Sequence, residues 1–253
     1  MSLVDPVHVL LLVATGVAAG LVSSVVSLAS VVSYPALLAM GVPPVAANVS
    51  NTVALVFTGI GSAAGSQEEL RGQGRRLLVV GGISAAGGAT GAAVLLCTPP
   101  GAFAALVPVF VATGALAVLL QPRLTLRART SGRPPSRWWW SAVGGSAVYI
   151  GYFGAAGGVL MLAALGGAIH DELIRLNALK NAVGIAANGV AAAGFVLFGP
   201  VHWDVVVPLG LGFLAGGWTG PAVSRRLPAA ALRPLIAVSG LGVAAVLAVR
   251  TYT

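Results

Sequence analysis

The sequence predicts an all-α polytopic membrane protein made of two inverted repeats, each a short helical hairpin followed by three transmembrane helices. Three observations predict it. First, 57% of the 253 residues are hydrophobic and only 8% are charged, with a mean hydropathy of +0.95. A soluble domain carries about 25% charged residues. Second, apolar runs of roughly 17–25 residues, enough for a helix to cross a bilayer, recur along the chain. Third, the two halves echo each other in their motifs and in the placement of their basic loops. The 35 glycines suit closely packed membrane helices, where small residues let backbones approach. A membrane β-barrel would need short alternating segments, which these runs are not.

Taken in order, apolar segments lie near 7–22, 25–40, 44–66, 77–97, 103–120, 138–152, 154–168, 173–198, 204–224 and 232–249. Segments 25–40, 138–152 and 154–168 are short for a full crossing. They flank soft points: Ser23, Ser24 and Ser27 in the first half, and G-Y-F-G-A-A-G-G at 151–158 in the second. Segments 7–22 with 25–40, and 138–152 with 154–168, therefore read as helical hairpins that re-enter the membrane or barely cross it. The most basic stretch, 121–137, carries Arg123, Arg127, Arg129, Arg133 and Arg137, and Trp138, Trp139 and Trp140 follow as an interfacial anchor would. It divides the chain into a first transmembrane repeat (1–120), a basic cytoplasmic linker (121–137) and a second transmembrane repeat (138–253). Together they make one membrane domain.

Setting Asn51 against Asn181 aligns V-S-N-T-V with L-K-N-A-V at an offset of 130, and G-G-A-T-G at 87–91 echoes G-G-W-T-G at 216–220 at an offset of 129. Charge sets the relative orientation of the halves. If each hairpin returns to its own side, thirteen of the fourteen basic residues share one face and only Arg250 lies opposite; if each pair were one long bent crossing, the split would be nine to five. Basic residues concentrate in short cytoplasmic loops, so the inverted arrangement is the expected one, with both termini extracytoplasmic in the cell membrane.

Polar groups at membrane depth cost several kcal/mol, by rough estimate, if unpaired, so they normally face a cavity or a partner. The first patch offers Asn48, Ser50, Asn51, Thr52 and Thr58, and the second Asn177, Lys180, Asn181 and Asn188. The second set falls at i, i+3, i+4 and i+11, one face of a helix. Asn48 and Asn177 also read as helix caps, and Lys180 as a snorkelling interfacial residue. Ser27 and Tyr152, at the hairpin breaks, complete the candidate substrate-binding set. The six acidic residues, Asp5, Glu68, Glu69, Asp171, Glu172 and Asp204, all fall in loops or at segment ends. A cation carrier would usually keep a carboxylate in its core, whereas amides, hydroxyls, a lysine and helix N-termini suit an oxyanion.

Other classes are disfavoured. The formal charge of +8 sits in short loops between apolar spans, a topology signal rather than a nucleic-acid surface. The single Cys97 excludes an internal disulfide and cannot by itself hold a metal. No carboxylate pair, His/Cys cluster or activated nucleophile falls in any span, so neither an enzyme nor a cofactor is expected.

The run N-A-L-K-N-x6-N-x2-A-A-x2-F-x3-G-x-V-x-W, with the glycine-rich break before it, resembles the second half of sulfite exporter TauE/SafE family permeases. Y-P-A-L-L-A-M-G-V-P-P-V-A-A-N-V-S-N-T resembles that family's first repeat. The resemblance implies transport of small sulfur-containing anions such as sulfite or organosulfonates, with Asn51, Thr52, Lys180, Asn181 and Asn188 at the motif positions. In the first half this chain has V-V-S-L-A-S-V-V-S at 25–33, serines where the family has its glycine-rich break. The expectation is a secondary transporter working by alternating access between the two repeats. Its expected partners are a small anion and the lipid bilayer, with no nucleic acid, and a homodimer is among the expected assemblies. The competing reading is an anion channel or a non-transporting scaffold whose polar patches only lock helices together.

Overall fold

In hydrocarbon the backbone has no partner but itself, so each apolar run closes into a helix. The computed structural model describes residues 5–26, 28–130, 137–154, 157–224 and 229–252. They form α1 (Pro6–Val26), α2 (Ser30–Ala39), α3 (Pro44–Gly65), α4 (Gln67–Leu70), α5 (Gly74–Cys97), α6 (Pro100–Thr130), α7 (Arg137–Tyr152), α8 (Gly157–Ala168), α9 (Leu173–Phe198), α10 (Trp203–Ser224) and α11 (Ala229–Tyr252). The described residues contain no strand. Six of the helices are long and apolar enough to cross a membrane: α1, α3, α5, α6, α9 and α10.

Each expected segment is helical, with two shifts of boundary. The second arm of the first hairpin starts at Ser30, so α2 has only 10 residues. Helix α6 has 31 residues and runs to Thr130, well into the stretch read from its charge as a linker. Leu124, Leu126, Arg127, Ala128 and Arg129 are all strong helix formers, a preference that a count of charges overlooks. The turns use the expected chemistry. Gly41 takes φ +84° where α2 ends, and Gly154 takes φ +77° in the second hairpin turn, both in the left-handed region where a side chain is strained.

Six of the helices sort into two bundles that do not coincide with the two halves of the sequence, while α6 and α11 pack on each other. Helices α1, α3 and α10 pack together, and so do α7, α9 and α5. Each half thus contributes two helices to one bundle and one to the other. Glycine seams fix the directions. Gly16 lies against Gly212, Gly20 against Gly216, and Gly65 against Trp218 and Pro221, so α1, α3 and α10 run parallel. Gly87 lies against Ala147, Gly91 against Gly151, Gly88 against Ala187 and Gly194 against Ala92, so α5, α7 and α9 also run parallel. Between the bundles, Gly59 faces Asn181 and Ile185 while Gly199 faces Val49, so α3 and α9 run antiparallel.

The repeated G-G-x-T-G motif is the seam itself. A Cβ on Gly216 would strike the backbone of Val17 in α1, and one on Gly217 would lie 2.6 Å from the Thr58 carbonyl oxygen in α3. Gly87 and Gly88 stand the same way against α7 and α9. With no Cβ in the way the backbones close up, and dispersion between them replaces the hydrophobic drive that lipid does not supply. Large apolar side chains such as Leu78, Leu197 and Phe198, between 72% and 80% exposed, point outward as lipid-facing groups do.

Because α1 and α3 are parallel, α2 must bring the chain back to the side from which α1 began; α8 does the same between α7 and α9. The segments entering α5 and α9 therefore meet. Arg76 and Arg175 both pair with Asp171, the second at 3.3 Å, and Gln73 donates to the Arg175 carbonyl oxygen at 3.2 Å. The hydrogen bond from Arg76 holds the Asp171 carboxyl below its ordinary value of 3.8. A depressed carboxyl stabilises the fold above that ordinary value, and the contribution is lost as pH falls through the lower folded pKa. Asp171→Asn should therefore cost about 1 kcal/mol or less at neutral pH, because solvent screens the pair, and cost nothing in strong acid. Thermal melts of both proteins from pH 7 down to pH 3 check this; an undiminished gap at the acid end would contradict it.

Candidate functional site

The asparagines near the starts of α3 and α9 cap neither helix with their side chains. They hold the opposite hairpin instead. Asn48 Nδ2 donates to the Tyr152 carbonyl oxygen at 2.9 Å, at the end of α7, and Asn177 Nδ2 donates to the Ser24 carbonyl oxygen at 3.1 Å, in the last turn of α1. The last carbonyls of a helix lack intrahelical partners or have weak ones, so each amide serves an acceptor left over where its neighbour's hairpin turns. Each half of the sequence thereby clasps the hairpin of the other.

Asn51 is 1% exposed and fully engaged. Ser33 donates to its Oδ1 at 2.6 Å, and its Nδ2 donates to Ser30 Oγ at 3.2 Å. These are two of the serines that replace glycine in the first break. The second break has Gly157 and Gly158 in the corresponding stretch, so no hydroxyl is available there to take Asn181. Thr52 bonds the Asn48 carbonyl oxygen in its own helix at 2.8 Å, and Ser50 accepts from the His202 backbone N–H at 2.9 Å. Tyr152 donates to Thr98 at 3.4 Å and packs edge-on against Phe103 and Phe110.

The remaining polar residues converge on a cavity of about 70 Å³, room for roughly five water-sized occupants. It is lined from α9 by Lys180, Asn181, Gly184 and Asn188, and from α3 by Leu55, Thr58, Gly59 and Ser62. Ser23, Ala29 and Ser30 of the first hairpin and Ile150, Gly154 and Gly158 of the second close it, so both turns reach the same space. Lys180 is 5% exposed. Ser30 opens α2 and Gly157 opens α8, which brings two helix N-termini to the cavity wall with their partial positive charge. No carboxylate is among the lining residues. Thr58 Oγ1 and Asn188 Oδ1 are buried without a hydrogen-bond partner.

Of the polar-patch residues named from the sequence, Thr58, Lys180, Asn181 and Asn188 share this cavity. Asn48, Ser50, Asn51, Thr52, Asn177 and Tyr152 are outside its lining and serve the contacts described above; Ser27 lies outside the described residues. Ser30, Ser62 and the glycines of the second turn are wall residues that helical spacing did not place in either polar patch. At the repeat offset of 130, Thr58 stands opposite Asn188.

Fold and site together define a polytopic helical membrane protein with a polar, carboxylate-free cavity between two helix bundles. Residues 12–247 match the family model of the sulfite exporter TauE/SafE, and the chain belongs to that family of membrane transporters. It is also similar to a Sinorhizobium protein described as "Probable membrane transporter protein ORF9", being 25% identical over 228 residues that cover 89% of this chain and 87% of that one. No solved structure matches it.

Proposed function

We propose that the protein is a secondary transporter of small sulfur-containing anions of the sulfite or organosulfonate class, working by alternating access between inverted units in the cell membrane. The observation that carries this reading is the wall of the cavity: Lys180, Asn181 and two helix N-termini face it, and no carboxylate does. Such a wall attracts an oxyanion and gives a cation nothing to pair with. The antiparallel meeting of α3 and α9, whose sequences match at Asn51 and Asn181, supports an inverted arrangement. It would also put the segments carrying Arg71, Arg75, Arg76 and Arg175 on the cytoplasmic side and both termini outside.

The moving bodies in this reading are the two bundles rather than the two sequence halves. Inside a bundle, backbones touch along glycine seams and leave no room to slide; between bundles, Gly59 meets the Ile185 side chain. A packed backbone seam behaves as a rigid body, whereas side-chain contacts can exchange between two arrangements. The reading is tested by labelled sulfite uptake into proteoliposomes with Asn181→Leu. Uptake should fall at least about tenfold, the loss of roughly one hydrogen bond to a charged ligand, while the melting temperature holds. A variant that fails to fold, while wild-type protein shows no sulfite-dependent uptake, would favour the scaffold reading.

A further inference from the structure

Resting on the anion reading above, we infer that the ligand is a hydrogen-bearing oxyanion: the site recognises an O–H on the anion as well as its negative charge. Thr58 and Asn188 carry the inference. Both line the cavity, from α3 and α9, and both hold a buried oxygen that nothing in the protein satisfies. Thr58 is 5% exposed, and its neighbour one turn back, Ala54, is fully buried. An unmade hydrogen bond at a buried oxygen is expensive, and native proteins rarely keep two such atoms in one place without a ligand or water to meet them.

The chemistry of the two oxygens sets the ligand class. A carboxamide oxygen only accepts, so Asn188 Oδ1 needs a donor from the ligand. The Thr58 hydroxyl can accept from that donor or give its own hydrogen to an anionic oxygen. A bare oxyanion such as sulfate offers acceptors alone and leaves Asn188 Oδ1 facing negative charge. An anion that still carries a hydrogen, such as hydrogensulfite or hydrogenphosphate, answers both needs, with its charged oxygens toward Lys180 and its O–H toward Asn188. The cavity volume of about 70 Å³ suits an anion of this size. The inference also bears on coupling. Every acidic residue is part-exposed or exposed, and none lines the cavity, so the proton would travel on the substrate. No proton-carrying carboxylate is then required.

The test compares two tetrahedral anions that differ by one hydroxyl. Binding of sodium sulfate, sodium phosphate and sodium sulfite to the purified full-length protein in detergent is measured at pH 7.5 by thermal shift and calorimetry. Hydrogenphosphate carries the same charge as sulfate and is expected to bind at least about tenfold tighter, the fold-change that one unmet buried acceptor implies. Thr58→Val with Asn188→Leu is expected to bring the two affinities together while the protein still melts cooperatively. If that double variant fails to fold, the wild-type ratio decides alone. Sulfate bound as tightly as phosphate, or tighter, would mean that the wall presents N–H groups instead and would overturn the inference while leaving the anion reading in place. No binding of sulfate, phosphate or sulfite would overturn both.

Discussion

Replacing Lys180 by methionine is expected to lower anion uptake roughly 10- to 100-fold, the range that 1.5–3 kcal/mol of charged hydrogen bonding implies, without lowering the melting temperature. The two halves of this prediction come from different physics. Lys180 is 5% exposed and is the one basic side chain among the described residues that line the cavity. Methionine keeps the length of the apolar stem and removes the charge, so binding suffers. Burial of an ammonium in a membrane helix is itself costly, and exchanging a buried ionic group for an apolar one of similar shape is often neutral or stabilising. A lysine needed only to lock helices would behave in the opposite way, with stability lost and any transport lost in proportion. Uptake into proteoliposomes and thermal melts of the same preparations separate the two. A fall in melting temperature matched to the fall in uptake would count against a binding role.

The second large effect is expected at the glycine seams. Gly88→Ala should destabilise the protein by about 1–3 kcal/mol, the usual range for overpacking a filled contact, because the new Cβ meets the Ala187 backbone. Gly217→Ala should do the same against Thr58, since the corresponding Cβ would lie 2.6 Å from a carbonyl oxygen. Neither neighbour can step aside, because both are main chain in the middle of a packed helix. Gly82, in the same helix as Gly88, has open space where a Cβ would stand, with no neighbouring atom within 4 Å, so Gly82→Ala supplies the control. Helix propensity favours alanine there by up to about 1 kcal/mol, so the control should melt at the same temperature or slightly higher. Unfolding followed in detergent checks all three; equal stability of Gly82→Ala and Gly88→Ala would refute the seam.

Much of this architecture was legible because a bilayer leaves a chain few choices. Continuous apolar runs must become helices, and the short ones at 25–40, 138–152 and 154–168 marked the hairpins. The echo of G-G-A-T-G in G-G-W-T-G was also informative, since glycine at matching places usually means a matching backbone approach. The start of α2 and the extent of α6 were less legible: serine breaks a helix less visibly than glycine, and arginine-rich stretches can be helical as readily as looped. In the candidate site, Lys180, Asn181 and Asn188 were readable from helical spacing, which puts residues on one face. The fates of Asn51 and Asn48 were not, because their partners stand far away in sequence: Ser30 and Ser33 on another helix, and the carbonyl of Tyr152 in the other half.

The sequence by itself thus determined the solvent and the helices. Those are properties of composition and period, and they hold whichever helix touches which. Only the tertiary structure decided how the halves interlock, with α10 in the bundle of α1 and α3 and α5 in that of α7 and α9. Only it decided which asparagines are clasps and which face the cavity. The physical reason is that a polar side chain in a membrane is governed by its nearest hydrogen-bond partner, and for the clasping asparagines that partner comes from the opposite half of the chain. Asn51 finds serines and is satisfied, whereas Asn181, its counterpart, faces glycines and the cavity.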